Sequence, residues 1–315
     1  MATVRIVGII FILLLCGALA QAQEDASAQG NGYFSPNQWI EENIDPDVLK
    51  VLKQLDQEKL DKLFVEMRDA MAGTNIYKLS TLRDTAKQLV PVLAKFEETL
   101  PYALWLQSRL DYLEAAGRME LEMKAEQPPG TSASLLPAAP PLKLQRKVWA
   151  EEMERRPWPK LAQKYAPPLK EIFIAEKVPA ELVWLAEVES SFDPRARSPA
   201  GAAGLFQLTP QTAKGQKLSL WPWDERLQPE KCAKAAAHYL HELHRHFGDW
   251  RLTLAAYNCG EGRIDKLLKQ STTRSFDAIA RRLPVETQMY VPKIEATILK
   301  REGRNLNELK SPKGI

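Results

Sequence analysis

A carboxylate stands where the local pattern calls for an apolar side chain. In ELVWLAEVESSF, residues 181–192, Leu182, Leu185, Glu189 and Phe192 recur at i, i+3, i+7 and i+10, the stripe that one face of a helix buries. An unpaired charge on such a face costs several kcal/mol, so Glu189 has either a hidden cationic partner or a proton to handle. Apolar neighbours at helical spacing, Leu185, Val188 and Phe192, would desolvate it and raise its pKa, the condition a general acid needs near neutral pH. The residues that follow are shaped for close approach. Asp193-Pro194 is expected to end the helix and Ser198-Pro199-Ala200-Gly201 to turn. Gly201 to Gly204 keep side-chain bulk away from a backbone or a ligand, and Leu205-Phe206-Gln207-Leu208 sets an amide among apolar groups. A salt-bridged Glu ahead of a small-residue packing turn is the alternative reading of the same residues.

Four blocks then occur in order. Glu189-Ser190 is followed by Gly204-Leu205-Phe206-Gln207 with Pro210-Gln211-Thr212-Ala213, then by Ala256-Tyr257-Asn258-Cys259-Gly260-Glu261-Gly262, then by Glu286-Thr287-Gln288-Met289-Tyr290-Val291-Pro292-Lys293. Together they resemble the motif set of the SLT-type lytic transglycosylases. Asp224-Glu225-Arg226 and Pro229-Glu230-Lys231 resemble the membrane-bound lytic transglycosylase D branch. The resemblance covers about the last half of the chain. It implies a lysozyme-like fold and cleavage of the bond from N-acetylmuramic acid to N-acetylglucosamine in peptidoglycan, with a 1,6-anhydro product and no organic or metal cofactor. It also implies Glu189 as the single general acid/base and Ser190 as a residue that helps orient it. Gln207, Tyr257 and Tyr290 match positions lining the sugar cleft, and Asn258 a more structural one. Phe206 departs from the usual Met, which alters that subsite. A hydrolytic muramidase and a non-catalytic wall-binding scaffold are the alternatives the same residues leave open.

Glycosidases normally hold two carboxylates across the scissile bond. Glu187 is the nearest second candidate, but residues two apart on a helix project roughly 200° apart. Asp193, Glu261 and Glu286 could reach Glu189 only through the fold. His238, His241, His244 and His246, all the histidines of the chain, crowd one segment; the HExxH zinc pattern from His241 requires a ligand at position 245, where Arg245 stands, so no metal site is expected. Cys232 and Cys259 would share an oxidising compartment, and whether they pair is left to geometry.

The elements that position these residues read as mainly α. Residues 1–22 have the form of a secretory signal: Arg5, an uncharged run from Ile6 to Ala20, and the small-x-small sequence Ala20-Gln21-Ala22. Export to the periplasm or cell envelope is expected, with membrane attachment only through an uncleaved signal or lipidation at Cys16, which Leu15 disfavours. Residues 23–126 form a helical N-terminal region, with stripes at Val48, Leu52, Leu55, Leu60, Leu63, Phe64, Met67 and Met71, at Leu79, Leu82, Ala86, Leu89, Leu93 and Phe96, and at Leu104, Leu106, Leu110 and Leu113. No motif marks this region; packing, or docking of an envelope partner, is its default role. QPPGTSASLLPAAPP, residues 127–141, reads as a Pro-rich linker. Residues 142–315 form the catalytic domain, with Trp149, Trp158, Tyr165 and Ile172 expected on helices leading to Glu189. Charge divides at the same boundary. Residues 23–126 hold 12 Lys/Arg against 19 Asp/Glu, whereas residues 127–315 hold 30 against 21. A basic half carrying the motifs suits an acidic polymer such as peptidoglycan; nucleic acid is not expected of an exported chain without a nucleic-acid motif.

Overall fold

The computed structural model describes residue 70 and residues 73–94, 100–126, 137–198 and 201–310. The signal segment, the Val48–Met67 stripe, Met71, Phe96 and residues 127–136 of the expected linker lie outside them. Among the described residues every named element is helical, and the only β pairings are the isolated bridges Arg197 to Ala203 and Ala203 to Leu208. None of these helices is long and apolar enough to cross a membrane.

After a 3-10 turn at Ile76–Leu82 come α1 (Arg83–Leu93), α2 (Leu100–Ala125), α3 (Leu142–Arg155) and α4 (Ala162–Ala175). A second 3-10 turn, Ala180–Trp184, leads into α5 (Leu185–Ser190). Then follow α6 (Pro210–Gly215), α7 (Pro229–Phe247), α8 (Trp250–Cys259), α9 (Glu261–Leu268), α10 (Phe276–Ile279) and α11 (Val285–Glu302). Local chemistry sets these limits. Asn75, Thr209, Asp249 and Ser275 cap the elements they precede through their side chains, and Gly248 and Gly303 close α7 and α11 in the left-handed conformation.

Two apolar clusters meet on α11. One face of that helix, with Tyr290, Val291, Ile294 and Ile298, packs into the cluster built by α4, α5, α7 and α8. Its other face, with Val285, Met289 and Ala296, packs with α1, α2 and α3. The helices before and after residues 127–141 therefore share one core. The last part of that segment is ordered within it: Ala138 O accepts from Ile76 N at 3.0 Å, Pro140 O accepts from the Gln145 amide at 3.1 Å, and Ala139 is buried. Trp149 lies on α3 as expected, but Trp158 lies in the loop between α3 and α4, because Pro157 and Pro159 on either side of it break the helical ladder.

The helix bearing Glu189 ends earlier than its sequence suggests. Ser191 and Phe192 both take positive φ, 53° and 63°, and Phe192 N donates to Ala186 O at 3.0 Å, so the chain leaves the helix before Asp193-Pro194. Phe192 still reaches the core, by this turn and not by continuing the helical stripe. Two successive left-handed residues without glycine store conformational energy beside Glu189. Gly204 has the opposite role. At φ 80° it lets the Arg226 backbone pass so close that an added Cβ would lie 1.9 Å from the Arg226 carbonyl oxygen. The close approach expected of the small-residue run is thus an approach of backbone. Gly204→Ala is expected to lower stability by about 2–4 kcal/mol, read as a fall in thermal midpoint, because the clashing atom belongs to main chain that cannot rotate away.

Candidate active site

Glu189 occupies the last turn of α5 and is 6% exposed. Its Oε1 accepts a hydrogen bond of 2.5 Å from the phenol of Tyr290, which α11 brings in from the other side of the core. Burial raises the Glu189 pKa to about 7; the Arg109 guanidinium and the Tyr290 hydrogen bond pull the other way, Glu286 adds to the rise, and Lys293 opposes it. Glu286, Tyr290 and Lys293 stand at i, i+4 and i+7, one face of α11, so a single helix presents three of these groups. Arg109 comes from α2, where it forms an ion pair of 3.4 Å with Glu286 and is itself buried. Burial works against its charge, and the nearby carboxylates, Glu286 foremost, more than offset this, so its pKa lies above the ordinary arginine value. Lys293, wholly buried, pairs with Asp111 of α2 at 2.8 Å and stands 4.1 Å from the ring centre of Tyr112; burial lowers its pKa to about 8.

The acid opens onto a cleft of 680 Å³. Glu187, Ser190, Ser191, Asp193 and Ala196 line it beside Glu189, Leu104, Gln107 and Ser108 of α2 form another part, and residues 156–161 complete it. Of the residues expected at the site, Glu189 and Ser190 line this cleft, whereas Gln207, Tyr257, Asn258 and Tyr290 do not. Ser190 does not bond the carboxylate: its hydroxyl donates to Leu205 O at 2.8 Å, with Ala186 O 3.1 Å away, tying α5 to the loop behind it. Tyr257 holds the same loop through a 2.7 Å bond to Phe206 O, and burial together with the Glu189 charge raises its pKa well above the ordinary phenol value. Gln207, at φ 46°, donates to Gly204 O and Ala196 O at 2.9 and 3.2 Å. Asn258 accepts from the Thr287 hydroxyl at 2.6 Å, joining α8 to α11. Ser190, Tyr257 and Gln207 thus fix the backbone around the acid.

The other carboxylates separate clearly. Glu187 is buried and accepts from Nη2 and Nε of Arg301, at 2.8 and 2.9 Å. Glu286 is paired with Arg109, and Glu261 is exposed. Among the described residues, Asp193 alone joins Glu189 on the cleft without a paired cation in its bonding, its Oδ1 accepting from Arg195 N at 2.9 Å. The histidines diverge around α7, each to a different neighbour: His238 to Gln216, His241 to Glu176 O, His244 to Thr253 and His246 to Asp265. No group of three or more metal-ligating side chains occurs among the described residues. Cys232 and Cys259 are both free thiols.

Arg109 was not apparent as part of the site, although the signal that marks Glu189 marks it too. Leu106, Arg109 and Leu113 follow at i, i+3 and i+7, and all three are buried, while Leu104, counted with the same stripe, is exposed.

Residues 174–280 match the family described as Transglycosylase SLT domain. The membrane-bound lytic murein transglycosylase D of Escherichia coli is 44% identical over 133 residues, which are 40% of this chain and 29% of that protein. The soluble lytic murein transglycosylase of Salmonella typhimurium is 36% identical over 121 residues, 36% of this chain and 19% of that protein. The chain thus spans less than a third of the length of these relatives. Among solved structures, an inactive mutant of the lytic transglycosylase Slt from Pseudomonas aeruginosa aligns at 18% identity and a TM-score of 0.37, over 91% of this chain and 61% of that one.

The buried acid has a consequence for stability. With its pKa at about 7 in the fold against 4.5 unfolded, Glu189 binds more protons folded than unfolded between those values, so its contribution falls as pH rises through them. The stability gained by Glu189→Gln relative to the parent is therefore expected to grow from near zero below pH 4.5 to about 3 kcal/mol above pH 7, at 1.36 kcal/mol per unit. Denaturant unfolding of both proteins at pH 4.5 and pH 8 measures it; a difference independent of pH would contradict a raised acid.

Proposed function

We propose that this protein is a peptidoglycan lytic transglycosylase that cleaves the bond from N-acetylmuramic acid to N-acetylglucosamine without consuming water, with Glu189 as its single general acid/base. The observation that carries the reading is a buried carboxyl with a pKa near 7, held by Tyr290 at the base of a cleft, within a segment that matches the SLT domain. Because Tyr290 donates to Oε1, the neutral acid carries its proton on Oε2. From there it passes to the glycosidic oxygen as the bond to C1 breaks. The carboxylate so formed, with Arg109 and the Tyr290 phenol to stabilise its charge, takes the proton of the muramoyl C6 hydroxyl, whose oxygen closes on C1 of the same ring. The products are a 1,6-anhydro end and a free 4-hydroxyl, and the acid is returned protonated.

Relatives named murein transglycosylases support peptidoglycan as the substrate, and the signal-like residues 1–22 support action in the periplasm. Ser190, Gln207, Tyr257 and Asn258 hold the walls around the acid in the geometry described, with Ser190 also facing the substrate. Asp193 on the same cleft favours one second reading, a muramidase in which it activates water against C1.

Mass spectrometry of fragments released from purified peptidoglycan separates the two readings. Muropeptides lighter by one water than muramidase products are expected from the parent and none from Glu189→Gln; reducing ends would establish hydrolysis, and no fragments from folded protein would establish a binding role. Tyr290→Phe removes a bond that favours the carboxylate, so the alkaline limb of the pH–rate profile, set near pH 7 by Glu189, is expected to move upward. An unmoved limb would show that Tyr290 does not tune the acid.

A further inference from the structure

Trp158 is half exposed, one of the largest apolar side chains left open to solvent, and it stands on the cleft that Glu189 opens into. A loose surface tryptophan would mean little, but this one is clamped. Its ring meets Trp184 edge to face, with centroids 4.9 Å apart and an interplanar angle of 85°. The Arg301 guanidinium lies over the ring at 5.3 Å from its centre, and Arg301 also donates to Pro157 O at 2.9 Å, fixing the loop backbone beside it. Arg301 in turn is held in place, because its Nε and Nη2 both donate to the buried Glu187 carboxylate. Pro157 and Pro159 limit the backbone on either side. Glu187, which has no part in proton transfer, therefore anchors a chain of contacts that ends in one indole held in place at the cleft wall. Leu104 and Gln107 of α2, one turn apart and both exposed, line the same cleft.

We propose that Trp158 is the stacking platform of a sugar subsite, receiving the apolar C–H face of a pyranose ring of the glycan strand, with Leu104 and Gln107 of the N-terminal helix α2 lining the same subsite. The occupant follows from the geometry. A fixed aromatic face with one apolar and one amide side chain beside it suits a ring that is apolar on its faces and polar at its edge. The subsite is continuous with the cleft at Glu189, so a strand whose scissile bond meets the acid extends over the indole. The assignment rests on the glycan reading above and makes residues outside the SLT-matching segment part of substrate binding.

The test separates this subsite from the reaction. In the Glu189→Gln background, binding of the N-acetylglucosamine hexamer is measured by titration calorimetry for the full chain, for Trp158→Ala, for Trp158→Phe and for Leu104→Arg. Loss of the indole is expected to weaken binding about tenfold, the phenyl ring to restore it to within about threefold, and the exposed Leu104→Arg to weaken it at least about threefold. Unfolding midpoints confirm that each variant is folded. Binding by Trp158→Ala or Leu104→Arg as tight as in the Glu189→Gln parent overturns the subsite, as does failure of that parent to bind the hexamer. Release of anhydro fragments by the wild-type chain would in either case leave the transglycosylase reading standing, and absence of those fragments would sink that reading instead.

Discussion

The desolvation of one carboxyl is the constraint on which the rest of the structure turns. Glu189 lies where two apolar clusters meet, and water cannot reach it well enough to hold its charge at the ordinary carboxylate pKa. A buried acid is tolerable only if its neutral form is stable and its charged form is not ruinous. The surroundings meet both demands: apolar packing favours the proton, while Tyr290, Arg109 and Lys293 keep the carboxylate within reach of neutral pH. A group poised in this way can give up a proton and take one back.

That poise requires α11. Its two faces belong to different clusters, and Glu286, Tyr290 and Lys293, which follow one line along it, are the ones that act on Glu189 or on its partners. The charges on α2 close the arrangement, with Arg109 against Glu286 and Lys293 against Asp111. Buried ion pairs of this kind contribute little net stability, because desolvation offsets the attraction, but removing one partner strands the other. Their place around the acid fits a role in setting its proton affinity. The N-terminal helix is accordingly part of the site in two ways, through charge beneath the acid and through the cleft wall above it.

Local geometry carries a second constraint. The chain must leave α5 at once after Ser190 to open the cleft, and it does so through two left-handed residues that are not glycine. Ser190, Tyr257 and Gln207 hold the following loop by its carbonyls, at Leu205, at Phe206, and at Gly204 and Ala196. Gly204 allows the Arg226 carbonyl to press against that loop. Side chains that would pass for substrate ligands on their chemistry are thus occupied in holding backbone.

Much of this was legible in the residues. The helical character, the misplaced carboxylate at 189 and the small-residue run that admits a backbone or a ligand all follow from periodicity and steric rules that act within a few residues, while Glu286, Tyr290 and Lys293 stood together only as a motif block. Burial of Arg109 was written in the same kind of stripe, but a charged residue among leucines has many innocent readings until its partner is known. Which carboxylate Arg109 faces, why Glu187 is bound by Arg301 and not free for catalysis, how Trp158 comes to stand on the cleft, and that helices on both sides of a Pro-rich segment share one core were decided only by tertiary structure. Sequence by itself determined which elements form and which residues would be costly to bury. Partners separated by a hundred residues or more meet only when the whole fold brings them together, and it is their distance and desolvation that turn a buried glutamate into an acid with a pKa near 7.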